Sequence, residues 1–375
     1  MTPQSNPFQN ANRIVIKIGS QLLVDPETGA VHRRWLETLG DDIAALRSAG
    51  KEVVIVSSGA IAIGRRHLCL ASGKLTLSEQ QASAATGMVR LAHAYQEILG
   101  MHDLTVSQVL LTLDDSENRR RYINARNTLT ELLKLGAVPL INENDTVATD
   151  EIRFGDNDRL AARVASMVSA DLLVMLSDID GLYTGNPQVD DAAEFVPEVH
   201  GQITPEIEAM AGVQLSGDSR GGMVTKLAAA KIAMGAGTTA MIAFGKDLNP
   251  LQRIQDGARC TIFVPDANPR TARKEWIAGS LKSVGRLTVD PGALNALKSG
   301  KSLLPAGIAH IDGDFERGDA VTILDPDGRE IGRGLIAYAS DEATQIAGHK
   351  TGEIETLLGY RGRDEMIHRD DLVLI

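Results

Sequence analysis

Six short apolar runs constrain this chain more than any other feature. They lie at 14–18, 53–56, 106–111, 138–141, 172–176 and 240–244, and several are apolar at nearly every position. Strands read this way when helices cover both faces of a parallel sheet. Helical patterns such as 35–48 and 159–168 stand between them, and in the second Leu160, Val164, Met167 and Val168 share one stripe. The alternation predicts a three-layer α/β sandwich with a mostly parallel central sheet. The runs pass into GSQ, SSGA, NENDT, SDIDG and FG. Ligands bind beyond the carboxyl ends of strands in open parallel sheets, so these turns are expected to form one site.

The pattern changes at VPDANPRTARKEW, 264–276, which reads as a linker. Beyond it come short β-like runs at 286–289, 320–324, 332–339 and 372–374, with DPDG at 325–328 as a hairpin turn. The expected domains are 1–263, an α/β catalytic domain, and 277–375, a small mainly-β domain.

Composition excludes several classes. The net charge is −11 and aromatic residues make up 3%, so neither phosphate contacts nor stacking platforms suggest a nucleic-acid partner. No run is long and apolar enough for a bilayer helix. The two cysteines, Cys69 and Cys260, lack zinc spacing, and the eight histidines are scattered. The opening residues 1–13 are polar, so no secretory leader is expected, and the cytoplasm is the expected compartment.

Certain charged residues sit in unusual places. Lys17 lies inside the first apolar run, beside Gly19-Ser20. A snorkelling edge lysine is one reading. The other is a phosphate ligand, since glycine lets backbone amides approach an anion. SSGAIAIG, 57–64, reads as a serine cap or as an anion site at a helix start. Asn142, Glu143, Asn144 and Asp145 crowd one strand end, and Asp156, Asn157 and Asp158 crowd a helix start. That exceeds capping and suits an amine, a metal or a lysine. Lys226 falls in an early turn of the helix after GDSRGG, where a cation opposes the helix dipole. An anionic ligand would remove the conflict; a solvated lysine is the plainer alternative. Lys231 reads as solvated, and Gly235 as a helix C-cap. The GAGTTA string at 235–240 follows a helix and precedes a strand, so it is no dinucleotide fingerprint. There is also no G-x-x-x-x-G-K-[ST] loop.

In order along the chain, KIGS, VIVSSGAI, LLT, NARNTL, PLINENDTVAT, EIRFGDNDRLAA, LSDIDGLYT and GGMVTK resemble the signatures of the amino-acid kinase family. The closest likeness is to its members that phosphorylate glutamate. WIAGSLK, GKSLLPAGI, FERGDAV, GRGL, IAGHKTGEIETLLGY and HRDDLV resemble the PUA domain that many of those members carry. The resemblance implies the amino-acid kinase fold and transfer of phosphoryl from ATP to the 5-carboxylate of L-glutamate, the first step toward proline. It also implies magnesium, feedback inhibition by proline and a homo-oligomer formed through the kinase domain. It leaves open whether the acyl phosphate passes directly to glutamyl phosphate reductase.

Carried over residue by residue, the resemblance has Lys17 and Lys226 flank the transferred group, with Asp158 holding both. Ser58, Asp145 and Asn157 would bind glutamate, and Asp156 would contact it or organise the site. Gly19, Ser177, Asp178, Gly221, Gly222 and Met223 would surround the nucleotide. No protein residue is implied as a metal ligand. An ionised carboxylate needs no general base, which fits the lack of a catalytic histidine or cysteine. Arg220 and Gln21 depart from the family pattern. Two alternatives stand beside this reading. One is a related kinase acting on aspartate, acetylglutamate, carbamate or UMP. The other is RNA binding through the PUA domain, against which residues 276–375 carry 11 Lys and Arg but 16 Asp and Glu.

Overall fold

The computed structural model describes residues 6–25, 28–70, 73–147, 157–212, 222–279 and 283–375. Asp156, Arg220 and Gly221 lie outside them. The chain divides into two units. Unit one comprises 1–117 and 125–269, and unit two comprises 118–124 and 270–375.

Unit one is built on strands β1 (Arg13–Ile18), β2 (Glu52–Ser57), β3 (Val106–Leu111), β4 (Val138–Glu143) and β5 (Leu172–Ser177). A short hairpin of β6 (Leu182–Tyr183) and β7 (Phe195–Val196) follows, then β8 (Glu198–His200), β9 (Thr239–Phe244) and β10 (Cys260–Val264). Eight of these form one sheet in the order β3-β4-β2-β1-β5-β9-β10-β8. Every pairing in it is parallel except β9 with β10. Ile14, Ile16, Val53, Ile55, Leu172 and Val174 are fully buried in the core of this unit. Helices Arg33–Ser48 and Asn157–Val168 cover the sheet, each extending two residues N-terminal of the expected start. The chain builds to one side of β1 through β2, β3 and β4, then returns to its other side with β5. The crevice beyond the ends of β1, β2 and β5 lies at that reversal, where open α/β sheets bind ligands.

Unit two holds a five-stranded sheet in the order β12-β11-β13-β14-β15. Its strands are β11 (Gly285–Val289), β12 (Ile308–Gly313), β13 (Ala320–Leu324), β14 (Glu330–Leu335) and β15 (Leu372–Leu374). Asp325 closes the DPDG turn by accepting from the Asp327 and Arg329 amides, and Gly328 supplies the left-handed φ of 80°.

Several expectations need correction. The segment 264–276, read as a linker, overlaps the helix Pro269–Gly279. β12 escaped notice because most of its residues are exposed, so it lacks an apolar pattern. Gly235 is the last residue of its helix, and the left-handed glycine is Gly237, with φ 75°. A Cβ there would stand 2.5 Å from the Asn268 carbonyl carbon. Residues 118–124, expected in the catalytic domain, belong to unit two. There Ile123 packs where a Cβ on Gly318 would otherwise stand, and Arg119 pairs with Asp319 at 3.8 Å. Counted over its own residues, unit two holds 17 Lys and Arg and 17 Asp and Glu, a balanced charge with no basic excess.

Candidate active site

A cleft of about 570 Å³ opens over the crevice. Lys17, Gly19, Ser58, Asp145, Asn157, Ser177, Asp178 and Lys226 all line it. The ends of β1, β2, β4 and β5 and two helix starts deliver them; the Phe244-Gly245 turn after β9, expected among them, does not line this cleft.

Asp158 lies at the base, 2% exposed, in the first turn of helix Asn157–Val168. Lys17 Nζ stands 2.6 Å from its Oδ1, and Lys226 Nζ 3.5 Å from its Oδ2. The Thr225 hydroxyl lies 2.7 Å from Oδ2 and 2.9 Å from the Gly222 carbonyl, so its proton serves two acceptors. Burial alone would raise the Asp158 pKa, but the Lys17 and Lys226 ammoniums and the Thr225 hydroxyl hold it below the usual carboxylate range. Lys17 is 7% exposed and Lys226 6%. Among the described residues, two buried cations share one carboxylate, so their pairing leaves an excess positive charge. Such a charge is costly without an anion. Lys17 is therefore neither a snorkelling nor a solvated lysine, and the same holds for Lys226.

Gly19 has an ordinary φ of −72°, so its backbone does not require glycine. A Cβ there would sit 3.8 Å from Lys17 Nζ, in the space beside the ammonium. Glycine leaves that space for a ligand. Gly59 differs: its φ is 103°, and a Cβ would meet Val24 at 3.0 Å. It turns the chain from β2 into helix Ala60–His67, whose start has no side-chain cap.

A second polar group faces Ser58. Asn157 Nδ2 donates to Ser58 Oγ at 2.7 Å and lies within 3.2 Å of the Ser57 carbonyl and 3.3 Å of Asn142 Oδ1. Its Oδ1 is buried with no hydrogen-bond partner among the described residues. Asp145 is 6% exposed, and burial pushes its carboxyl up to about 6. Asn157 and Asp145 both line the cleft, and their carboxamide and carboxyl groups are of the kind that binds a cationic amine.

Ser177 Oγ bonds Asp178 Oδ1 at 3.2 Å at the end of β5. Gly222 and Met223 open the helix that delivers Lys226 but do not line the cleft. Asp156 and Gly221 lie outside the described residues. Sequence reasoning missed Thr225 and the cleft-lining Arg65 and Arg66. Thr225 adjoins Lys226 in GGMVTK, so the motif carried that signal. Nothing in the pattern of Arg65 and Arg66 separated them from a solvated basic helix end.

The model of the Amino acid kinase family matches residues 12–243. The chain belongs to the amino acid kinase family. It is a kinase with a second domain, since the PUA domain model matches residues 285–358. The glutamate 5-kinase of Paramagnetospirillum magneticum is 62% identical over 369 residues, covering 98% of this chain and 99% of that one. That of Rhodospirillum rubrum is 59% identical, covering 96% of each. That of Agrobacterium fabrum is 58% identical, covering all of this chain and 96% of the relative. Among the described residues, no helix of this amino acid kinase is long and apolar enough to cross a membrane.

Proposed function

We propose that this chain transfers the γ-phosphoryl of ATP to the 5-carboxylate of L-glutamate, giving L-glutamyl 5-phosphate and ADP. The observation that carries the reading is the buried Lys17–Asp158–Lys226 cluster, whose excess positive charge faces the cleft. The relatives named glutamate 5-kinase supply the substrate.

The chemistry needs two anions brought together. The attacking carboxylate is already ionised near neutral pH. Phosphoryl transfer is then mostly positioning and neutralisation of charge. Lys17 and Lys226 flank the transferred group, and Asp158 fixes their spacing. Asp145 and the free Oδ1 of Asn157 take the substrate ammonium, and Ser58 completes that end. Amides near Gly19 and the Ser177–Asp178 turn face the nucleotide, with Gly222 and Met223 beside it. The same amine-binding groups suit proline, which keeps an ammonium next to a carboxylate, and feedback inhibition follows from that.

Among the described residues, no group of three His, Cys, Asp or Glu could hold a metal ion. Magnesium carried on the nucleotide phosphates and waters needs few protein ligands, and the exposed Asp178 carboxylate at the cleft would hold one of its waters. When bound, the ion would neutralise phosphate charge. The acyl phosphate product hydrolyses readily, so a reductase that takes it up promptly is the partner its chemistry calls for. A cytoplasmic homo-oligomer built through unit one completes the reading.

Supply of ATP, magnesium and hydroxylamine tests it. Glutamyl hydroxamate is expected with L-glutamate and not with aspartate or acetylglutamate. No glutamate-dependent product would end the proposal.

A further inference from the structure

Behind the substrate end of the cleft lies a buried pair that the chemistry above does not use. Tyr95, on the helix Leu77–Gly100, is 1% exposed. Its hydroxyl meets Ser57 Oγ at 3.1 Å, and Ser57, the last residue of β2, is fully buried. Ser57 Oγ also lies 3.3 Å from the Ser58 carbonyl. Burial drives the Tyr95 phenol well above its ordinary value, so it stays a hydrogen-bond donor. A chain of donation from Tyr95 to Ser57 to the Ser58 carbonyl uses both protons and leaves no hydroxyl unsatisfied.

The Ser57 backbone has a second task, because its carbonyl accepts from Asn157 Nδ2 at 3.2 Å. That amide has two protons and three acceptors within 3.3 Å: Ser57 O, Ser58 Oγ and Asn142 Oδ1. The placement of the Ser57–Ser58 turn therefore decides how the Asn157 carboxamide is rotated, and with it where the unpartnered Oδ1 points.

The helix that carries Tyr95 is itself pinned to this turn. A Cβ on Gly87 would stand 1.7 Å from the Ala60 carbonyl oxygen, and one on Gly64 would stand 1.7 Å from that of Ser83. The helix beginning at Ala60 thus touches the Tyr95 helix backbone to backbone, one residue after Gly59.

We propose that Tyr95 is a positioning residue for the amino-acid substrate, acting through Ser57 to set Ser58 and Asn157. This rests on the assignment of Ser58 and Asn157 to the substrate. Tyr95 touches none of the reacting groups, so its loss acts on substrate affinity and not on the transfer step.

The test is steady-state kinetics on the full chain. Tyr95→Phe removes one oxygen and keeps the ring. It is expected to raise KM for L-glutamate about 5–20-fold, with kcat and KM for ATP changed less than about twofold. Ser57→Ala is expected to do the same. The double variant should add less than about twofold more, because the two hydroxyls act in one chain. Unchanged glutamate KM in both single variants overturns the proposal. So does a parallel shift of both KM values and kcat, which marks a general structural effect, and so does a fully multiplicative double variant. If Tyr95→Phe does not fold, Ser57→Ala decides alone. Failure of the wild-type chain to make glutamyl hydroxamate overturns the functional reading instead.

Discussion

Asp158→Asn isolates the electrostatic core of the site. The carboxylate lies 2.6 Å from one ammonium and 3.5 Å from the other, and it is 2% exposed. At an effective dielectric of about 20, the two attractions amount to about 6 and 5 kcal/mol. Repulsion between the lysines and the cost of desolvating three charges consume much of that. The net loss on breaking a buried ion pair is about 3–5 kcal/mol. Asparagine keeps the shape but leaves both ammoniums without their counter-charge. In a unit of this size such a loss lowers Tm by about 6–15 °C. Thermal unfolding of the ligand-free variant measures it. An anion in the cleft would return a counter-charge, so ADP should raise the Tm of Asp158→Asn by more than it raises that of the wild type. The pH dependence has a definite sign. The Asp158 pKa is depressed in the folded state, so its contribution is present above the unfolded carboxylate value near 4 and fades as pH falls through the lower folded value. The gap between wild type and variant should therefore close in acid. A ligand-free Tm within about 2 °C of wild type, or equal stabilisation of both proteins by ADP, would refute the reasoning.

Three further outcomes follow from the same geometry. Lys17→Ala and Lys226→Ala should each lower kcat about 10²–10³-fold with the fold retained by circular dichroism, and a near-normal kcat in either removes its role. Asp145, with its carboxyl at about 6, must ionise to hold an ammonium; KM for glutamate should rise about tenfold from pH 7 to pH 5, and Asp145→Asn should flatten that profile. A chain ending at residue 269 should still form hydroxamate, yet hydrogen exchange should quicken at 119–124, because Ile123 and Arg119 lose the unit-two partners Gly318 and Asp319. Unchanged protection there would show that this segment does not depend on the rest of unit two.

In the central sheet β8, only three residues long, and β10 were not read; the other six of its eight strands were legible, most of them because they are apolar on both faces. β12 was illegible for the opposite reason: an edge strand with exposed side chains carries no such signature. The site was half legible. Lys17 stood out as a charge in an apolar run, and Lys226 as a cation at the wrong end of a helix. Their convergence on Asp158 spans 141 and 68 residues of chain, and no local spacing reports it. Tyr95 shows a different limit. On its helix it occupies an ordinary core position, and only the buried Ser57 hydroxyl across from it gives its oxygen a purpose. The assignment of 118–124 to unit two rests likewise on packing against residues nearly two hundred positions away.

The arrangement also explains how a chain without a Walker loop can handle a triphosphate. A glycine-rich loop gathers amide dipoles, each carrying a fraction of a charge. This cleft gathers two whole charges and restrains them with one. Asp158 makes burial of the lysines tolerable, yet it cannot neutralise both, and the remainder is directed at the cleft. Full neutralisation by a second carboxylate would stabilise the empty protein and weaken its hold on phosphate. On the proposed function, the odd charge is the functional quantity: it costs stability in the empty cleft and returns that energy when an anion arrives, where preorganised charge is worth most.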